Sequence, residues 1–98
     1  MIALGLAPAA LSGPVKRSVT IAGHPTSISL EPVFWAALEA EATSRAVPLS
    51  ALIAAIDALR LEAPVPPNLA SALRSWLFLS KDNLQITLNS VDSANGSQ

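Results

Sequence analysis

Few residues in this chain could do chemistry, and their types narrow what that chemistry is. His24 is the one histidine, and cysteine and tyrosine are absent. The inventory therefore holds no thiolate metal site, no clear nucleophile–base pair and no glycine-rich phosphate loop. We expect no enzyme, no metal and no cofactor. What remains suits hydrogen bonding. Ser27 and Ser29 stand two apart in Thr26-Ser27-Ile28-Ser29-Leu30. That spacing turns both hydroxyls to one face of a strand, and Ile28 and Leu30 to the other. Lys16-Arg17 is an adjacent basic pair. Ser50 stands just before an apolar periodic run, where its side chain can cap a helix from Ala51 onward. His24, beside Gly23 and Pro25, is accounted for by a turn. Asp57 lies on an otherwise apolar segment, and is expected to pair with Arg60 or Arg74 or to face a partner chain.

The elements that must position these residues come from a chain of 98 residues, 51% hydrophobic and 13% charged, with a formal net charge of −1. That length holds one domain. A chain so short buries only about 60–65% of the surface its unfolded form exposes. Its apolar content exceeds what a small monomer easily hides, so burial between copies is expected. High hydrophobicity with little net charge excludes disorder of the whole chain. Six basic residues against seven acidic ones give no global attraction to nucleic acid or to an anionic membrane. Binding of that kind would have to come from local geometry.

Residues 1–15 read as an apolar flexible arm. No basic stretch precedes them, as a secretory signal requires, and they fall short of the roughly 20 residues that span a bilayer. We expect a cytoplasmic protein with no membrane association. Ser18–Ala22 and Thr26–Leu30 alternate with the period of strands, and Gly23-His24-Pro25 reads as their tight connection. The pair could be a hairpin or two offset strands separated by a kink. Glu31-Pro32 then starts a helix of about 13 residues, with Phe34, Leu38 and Ala42 in line and Trp35 flanking them. A second helix is expected over Ala51–Arg60, its apolar line formed by Leu52, Ile53, Ile56 and Leu59. The proline-rich stretch 61–67 cannot continue it. Asn68 can cap a third helix running to about Leu79. Residues 84–88 alternate weakly and could form one more strand. The expected organisation is an arm at 1–15, a domain at 16–80 and a polar tail at 81–98.

This order of elements resembles the ribbon-helix-helix family. KRSVTIAGHPTSISLEPVFWAAL, followed by PLSALIAAID and NLASALRSWLF, is similar to a bacterial subfamily with an extra N-terminal strand and a third helix. The aromatic pair Phe34-Trp35 and the segment Asn68-Leu69-Ala70-Ser71-Ala72 carry the likeness, which covers roughly residues 16–79. It implies a mainly α fold with a short β ribbon, arranged as an intertwined homodimer. Ile28, Leu30, Phe34, Leu38, Leu52 and Ile56 would be buried when two copies interlock. It also implies a transcriptional regulator whose paired ribbon enters the major groove of double-stranded DNA. Ser27 and Ser29 would then face base edges, with Thr26 beside them. Ser50 and the backbone of Ala51 would hold a phosphate, and Lys16 and Arg17 would reach neighbouring phosphates.

One consequence depends on the first strand. If it pairs with the second in each copy, the dimer sheet has four strands and its outer strands lie about 14 Å apart. The major groove is only about 12 Å wide. Such a face is a platform of serine and threonine hydroxyls, better suited to another protein or a small polar ligand. A protein-interaction module on the same dimer is therefore the alternative. If the first segment stays an arm, insertion of the ribbon is preserved.

Overall fold

The computed structural model describes residues 2–81. The strand expected at 84–88 and the polar tail lie outside the described residues, apart from Lys81.

Two strands form, β1 (Val15–Ile21) and β2 (His24–Leu30), paired antiparallel as a hairpin. The register runs from Val15 opposite Leu30 to Ile21 opposite His24. The open choice between a hairpin and offset strands is thus resolved. The connection differs from the expected one: it consists of Ala22 and Gly23, at φ values of 51° and 83°, while His24 and Pro25 belong to β2. Two successive residues at positive φ give the turn a backbone twist that matches the twist of the flanking strands. Pro25 is accommodated for a related reason. In a two-residue hairpin the closing pair exchanges the hydrogen bonds, so Pro25, one step further along opposite Thr20, needs no N–H toward β1. Ala22 occupies a position that favours asparagine or glycine. Ala22→Asn is expected to stabilise the chain by up to about 1 kcal/mol, read as a higher urea midpoint at unchanged slope.

Three helices follow: α1 (Pro32–Ser44), α2 (Leu49–Leu61) and α3 (Leu69–Leu79). Helix α1 starts as expected, with Pro32 in its first turn. Its end carries no glycine. Ala46 takes φ 56°, and its N–H donates to the Thr43 carbonyl while that of Val47 donates to the Ala42 carbonyl. This paired closure satisfies two carbonyls that the helix end would otherwise leave free. The chain then turns by 102° into α2. Helix α2 begins at Leu49, two residues before the expected start at Ala51. Pro48 occupies the capping position in extended conformation, with no side-chain hydrogen bond. Its fixed φ suits that position, and the early start lets Leu49 pack against the core. Asn68 caps α3 as expected, its Oδ1 accepting from the Ser71 N–H at 2.8 Å.

One face of the hairpin lies against all three helices. Val19, Ile21, Ile28 and Leu30 meet Trp35, Leu38, Leu52, Ile53, Ile56, Leu73 and Leu77 in a single core. Alternation sets this: odd positions of β1 and even positions of β2 share the buried face. In α1 the expected roles of the aromatic pair are exchanged. Trp35 is buried with Leu38 and Ala42, while Phe34 is only half-buried at the margin. On α2, Leu52, Ile53 and Ile56 are buried as expected, but Leu59 is exposed. Residues 2–14 are exposed throughout and carry one short 3-10 turn, Pro8–Ala10.

Candidate nucleic-acid interface

The solvent face of the hairpin gathers six side chains in three cross-strand pairs. Lys16 lies opposite Ser29, Ser18 opposite Ser27 and Thr20 opposite Pro25. All six are exposed. The result is a low surface of hydroxyls with one ammonium group near the end of β2. The sequence reading had Lys16, Ser27 and Ser29. Ser18 and Thr20 complete the same face, the platform of serine and threonine hydroxyls expected if the first strand pairs with the second.

Arg17 and Thr26 lie on the other side of the hairpin. Arg17 faces α1, where its Nη1 donates to Glu39 Oε1 at 2.8 Å and its guanidinium lies 4.6 Å from the centre of the Trp35 ring. Trp35 Nε1 in turn donates to the Val15 carbonyl at 2.9 Å. These contacts fasten β1 to α1, so Arg17 is a clamp on the hairpin in this arrangement rather than an extended basic arm. Thr26 is half-buried beside the core, its hydroxyl donating to the His24 carbonyl at 3.3 Å. Neither residue shares a face with Ser27 and Ser29.

Ser50 and Ala51 sit in the first turn of α2. The Ala51 N–H is already used, donating to the Pro48 carbonyl at 3.1 Å. The donors this helix end leaves toward an anion are therefore the earlier ones, on Leu49 and Ser50. Five of the six residues expected at a dimer interface (Ile28, Leu30, Leu38, Leu52 and Ile56) are buried within the single chain. Helix α3 contributes Leu73 and Leu77 to the same cluster, which supplies part of the cover in one copy. Phe34 alone of the six keeps substantial exposure.

The positive charges are largely committed. Arg17 pairs with Glu39, Arg45 with Glu41, Arg60 with Asp57 and Arg74 with Glu31, at N–O distances between 2.8 and 3.1 Å. Asp57 thus takes the partner on its own helix. Lys81 lies over the Phe78 ring at 4.8 Å. The Arg74–Glu31 pair ties α3 to the junction of β2 and α1, and Arg74 also lies 5.7 Å from the Phe34 ring centre. Glu31 is therefore directed toward a cation of its own chain. Its carboxyl is held below the ordinary value of 4.5, first by a hydrogen bond from its own backbone, then by Arg74. A carboxyl lowered on folding stabilises the chain fully above its unfolded value. That contribution is lost as pH falls through the folded one. Glu31→Gln is expected to flatten this acid-side decline below pH 4.5, measured as melting temperature against pH.

Among the described residues no cluster of three or more metal-ligating side chains occurs, and no single helix is long and apolar enough to cross a membrane. The family model for the ribbon-helix-helix domain matches residues 14–80. Strand, paired helices and the cap of α3 all fall inside that span, and the chain belongs to the ribbon-helix-helix family. No curated protein and no solved structure matches it.

Proposed function

We propose that this chain is a homodimeric DNA-binding regulator that lays its outer sheet face across the major groove. The observation that carries this reading, within a family that typically includes DNA-binding regulators, is the register that sets Lys16 beside Ser29 and Ser18 beside Ser27 on one exposed face. β2 of each copy pairs with its counterpart along the edge that β1 leaves open. The sheet then has the order β1-β2-β2-β1. Because the outer strands are about 14 Å apart, the sheet does not insert. The central strands lie over the mouth of the groove, about 8.5 Å above its floor, with Ser27 and Ser29 facing it without reaching base edges, and the outer strands lie over the phosphate walls. Lys16 meets phosphate there, as do the first N–H groups of α2 if they reach the backbone. Serine hydroxyls bond to either donors or acceptors, so base discrimination is low and much of the affinity rests on the two Lys16 ammonium groups. The protein acts in the cytoplasm and carries no catalytic role.

A specific observation favours a second reading. All four arginines are in ion pairs, and a neutral hydroxyl face also suits a protein partner. Titrating a fluorescent duplex at several salt concentrations separates the two. The regulator binds with a shallow slope of log affinity against log salt, about two phosphates per dimer, and Lys16→Ala abolishes most of that slope. No binding at low salt would leave the interaction module.

A further inference from the structure

The backbone of the open β2 edge limits how two copies can pair along it. In the hairpin, Ile21 and His24 close the turn and exchange hydrogen bonds. Bonding positions then recur at every second residue. His24, Thr26, Ile28 and Leu30 therefore turn their N–H and C=O groups toward β1, while Pro25, Ser27 and Ser29 turn theirs to the open edge. Among the described residues the sheet has only these two strands, and no loop bonds to the backbone of Ser27 or Ser29.

The edge is bounded at both ends. Pro25 has no N–H to give. Glu31 continues the same parity in extended conformation, but its carbonyl already accepts from the Phe34 and Trp35 N–H groups at 2.9 and 3.2 Å. Ser27 and Ser29 are thus the two edge residues with both backbone groups to offer. Copies related by a twofold axis run antiparallel, and keeping the hydroxyls on one face leaves three registers in which serine meets serine. With Ser27 opposite the partner's Ser27, each Ser29 carbonyl meets the partner's Pro25, which has no donor. With Ser29 opposite the partner's Ser29, each Ser27 N–H meets a Glu31 carbonyl that α1 already uses. With Ser27 opposite the partner's Ser29, both groups of both serines are satisfied. Pro25 then falls opposite the partner's Glu31, so the missing donor faces the occupied acceptor.

We propose that the ribbon pairs in this last register, Ser27 of each copy opposite Ser29 of the other, so that the DNA-facing surface is built from both chains. The inference rests on the dimer reading above and deepens it. Each row across the four strands holds Lys16, Ser29, the partner's Ser27 and the partner's Ser18, and the adjacent row repeats it in reverse. The two Lys16 Cα atoms stand at opposite ends of adjacent rows, about 16 Å apart.

The chain has no cysteine, so single thiols report the register. Ser27→Cys and Ser29→Cys chains are unfolded together, refolded as a mixture and mildly oxidised, with mass followed by light scattering. Paired positions put their Cα atoms about 5.5 Å apart, within reach of a disulfide. Positions two residues out of register lie about 7–8 Å apart, beyond that reach. The expected result is a disulfide joining one chain of each kind, formed at least about tenfold faster than links in either variant alone. Faster linking in Ser27→Cys alone, or in Ser29→Cys alone, would overturn this register in favour of another. A dimer mass with no preferred link would overturn the ribbon pairing and leave a dimer formed through a different surface. A monomer mass, the result if residues 84–88 occupy the edge instead, would overturn the dimer reading itself. Ser27→Pro gives a second measurement, because it removes an edge N–H without touching the bonds to β1. It is expected to weaken dimerisation about tenfold or more, whereas Ser18→Pro, on the outer edge of β1, leaves it unchanged. Equal dimer affinity in the two variants would overturn the proposal.

Discussion

Trp35→Ala is expected to lower the stability of the chain by about 3–5 kcal/mol, a large share of the 5–15 kcal/mol that separates small domains from their unfolded state. Two effects combine. The Trp35 side chain, 4% exposed, fills the space between α1 and the hairpin, so its removal leaves a cavity whose surroundings relax only partly. The same ring also holds β1 through the Val15 carbonyl and the Arg17 guanidinium. Trp35→Phe keeps most of the packing and loses the hydrogen bond, and its cost is expected to be nearer 1–2 kcal/mol. The two variants should loosen the chain in the same place, though by different amounts. Amide hydrogen exchange in β1 should accelerate in both, relative to β2, because both lose the contact that fastens Val15. Urea denaturation gives the magnitudes.

Leu30→Ala is expected to cost about 2–5 kcal/mol, whereas Ser29→Ala, one residue earlier, should change stability by less than about 0.5 kcal/mol. Leu30 is fully buried, where β2 passes into α1 and under α3. Ser29 points to solvent from the other face. A slip of one residue in the register would interchange the two faces. The contrast between neighbouring substitutions therefore tests the alternation directly. Thermal melts at matched concentration suffice. In a dimer the melting temperature also rises with concentration.

Much of this architecture was legible because its signals are local. Alternation at Thr26–Leu30 placed Ile28 and Leu30 inside and Ser27 and Ser29 outside. Pro32 marked the start of α1, and Asn68 the cap of α3. The turn was misplaced because Ala22, not glycine or asparagine, holds the first positive φ, and alanine gives no such signal. The end of α1 was hidden in the same way by Ala46. The start of α2 was shifted because Ser50 looks like a cap, while Pro48 takes that place by backbone conformation alone. Lys16-Arg17 read as a basic pair because adjacency in sequence is visible. In a strand, though, adjacent residues face opposite ways, and only the pairing of β1 with β2 sends Lys16 outward and Arg17 onto Trp35. The ion pairs of Glu31 with Arg74 and of Arg17 with Glu39 join residues 43 and 22 positions apart. No local pattern announces them. They matter to function as well as to fold, because they remove arginines from the charge available to a phosphate backbone.

The central claim is that the exposed face of the hairpin is the surface that meets DNA. Inserting a carboxylate in the middle of it tests this most directly. Anisotropy of a fluorescent duplex should be followed at low salt with the unaltered chain, with Ser27→Glu, and with Ala36→Glu as a control on the exposed side of α1. Ser27→Glu is expected to abolish binding while Ala36→Glu, which adds the same charge elsewhere, weakens it far less, with the melting temperatures of both variants near that of the unaltered chain. Equal affinity for Ser27→Glu and Ala36→Glu, or no binding by the unaltered chain, would contradict that claim.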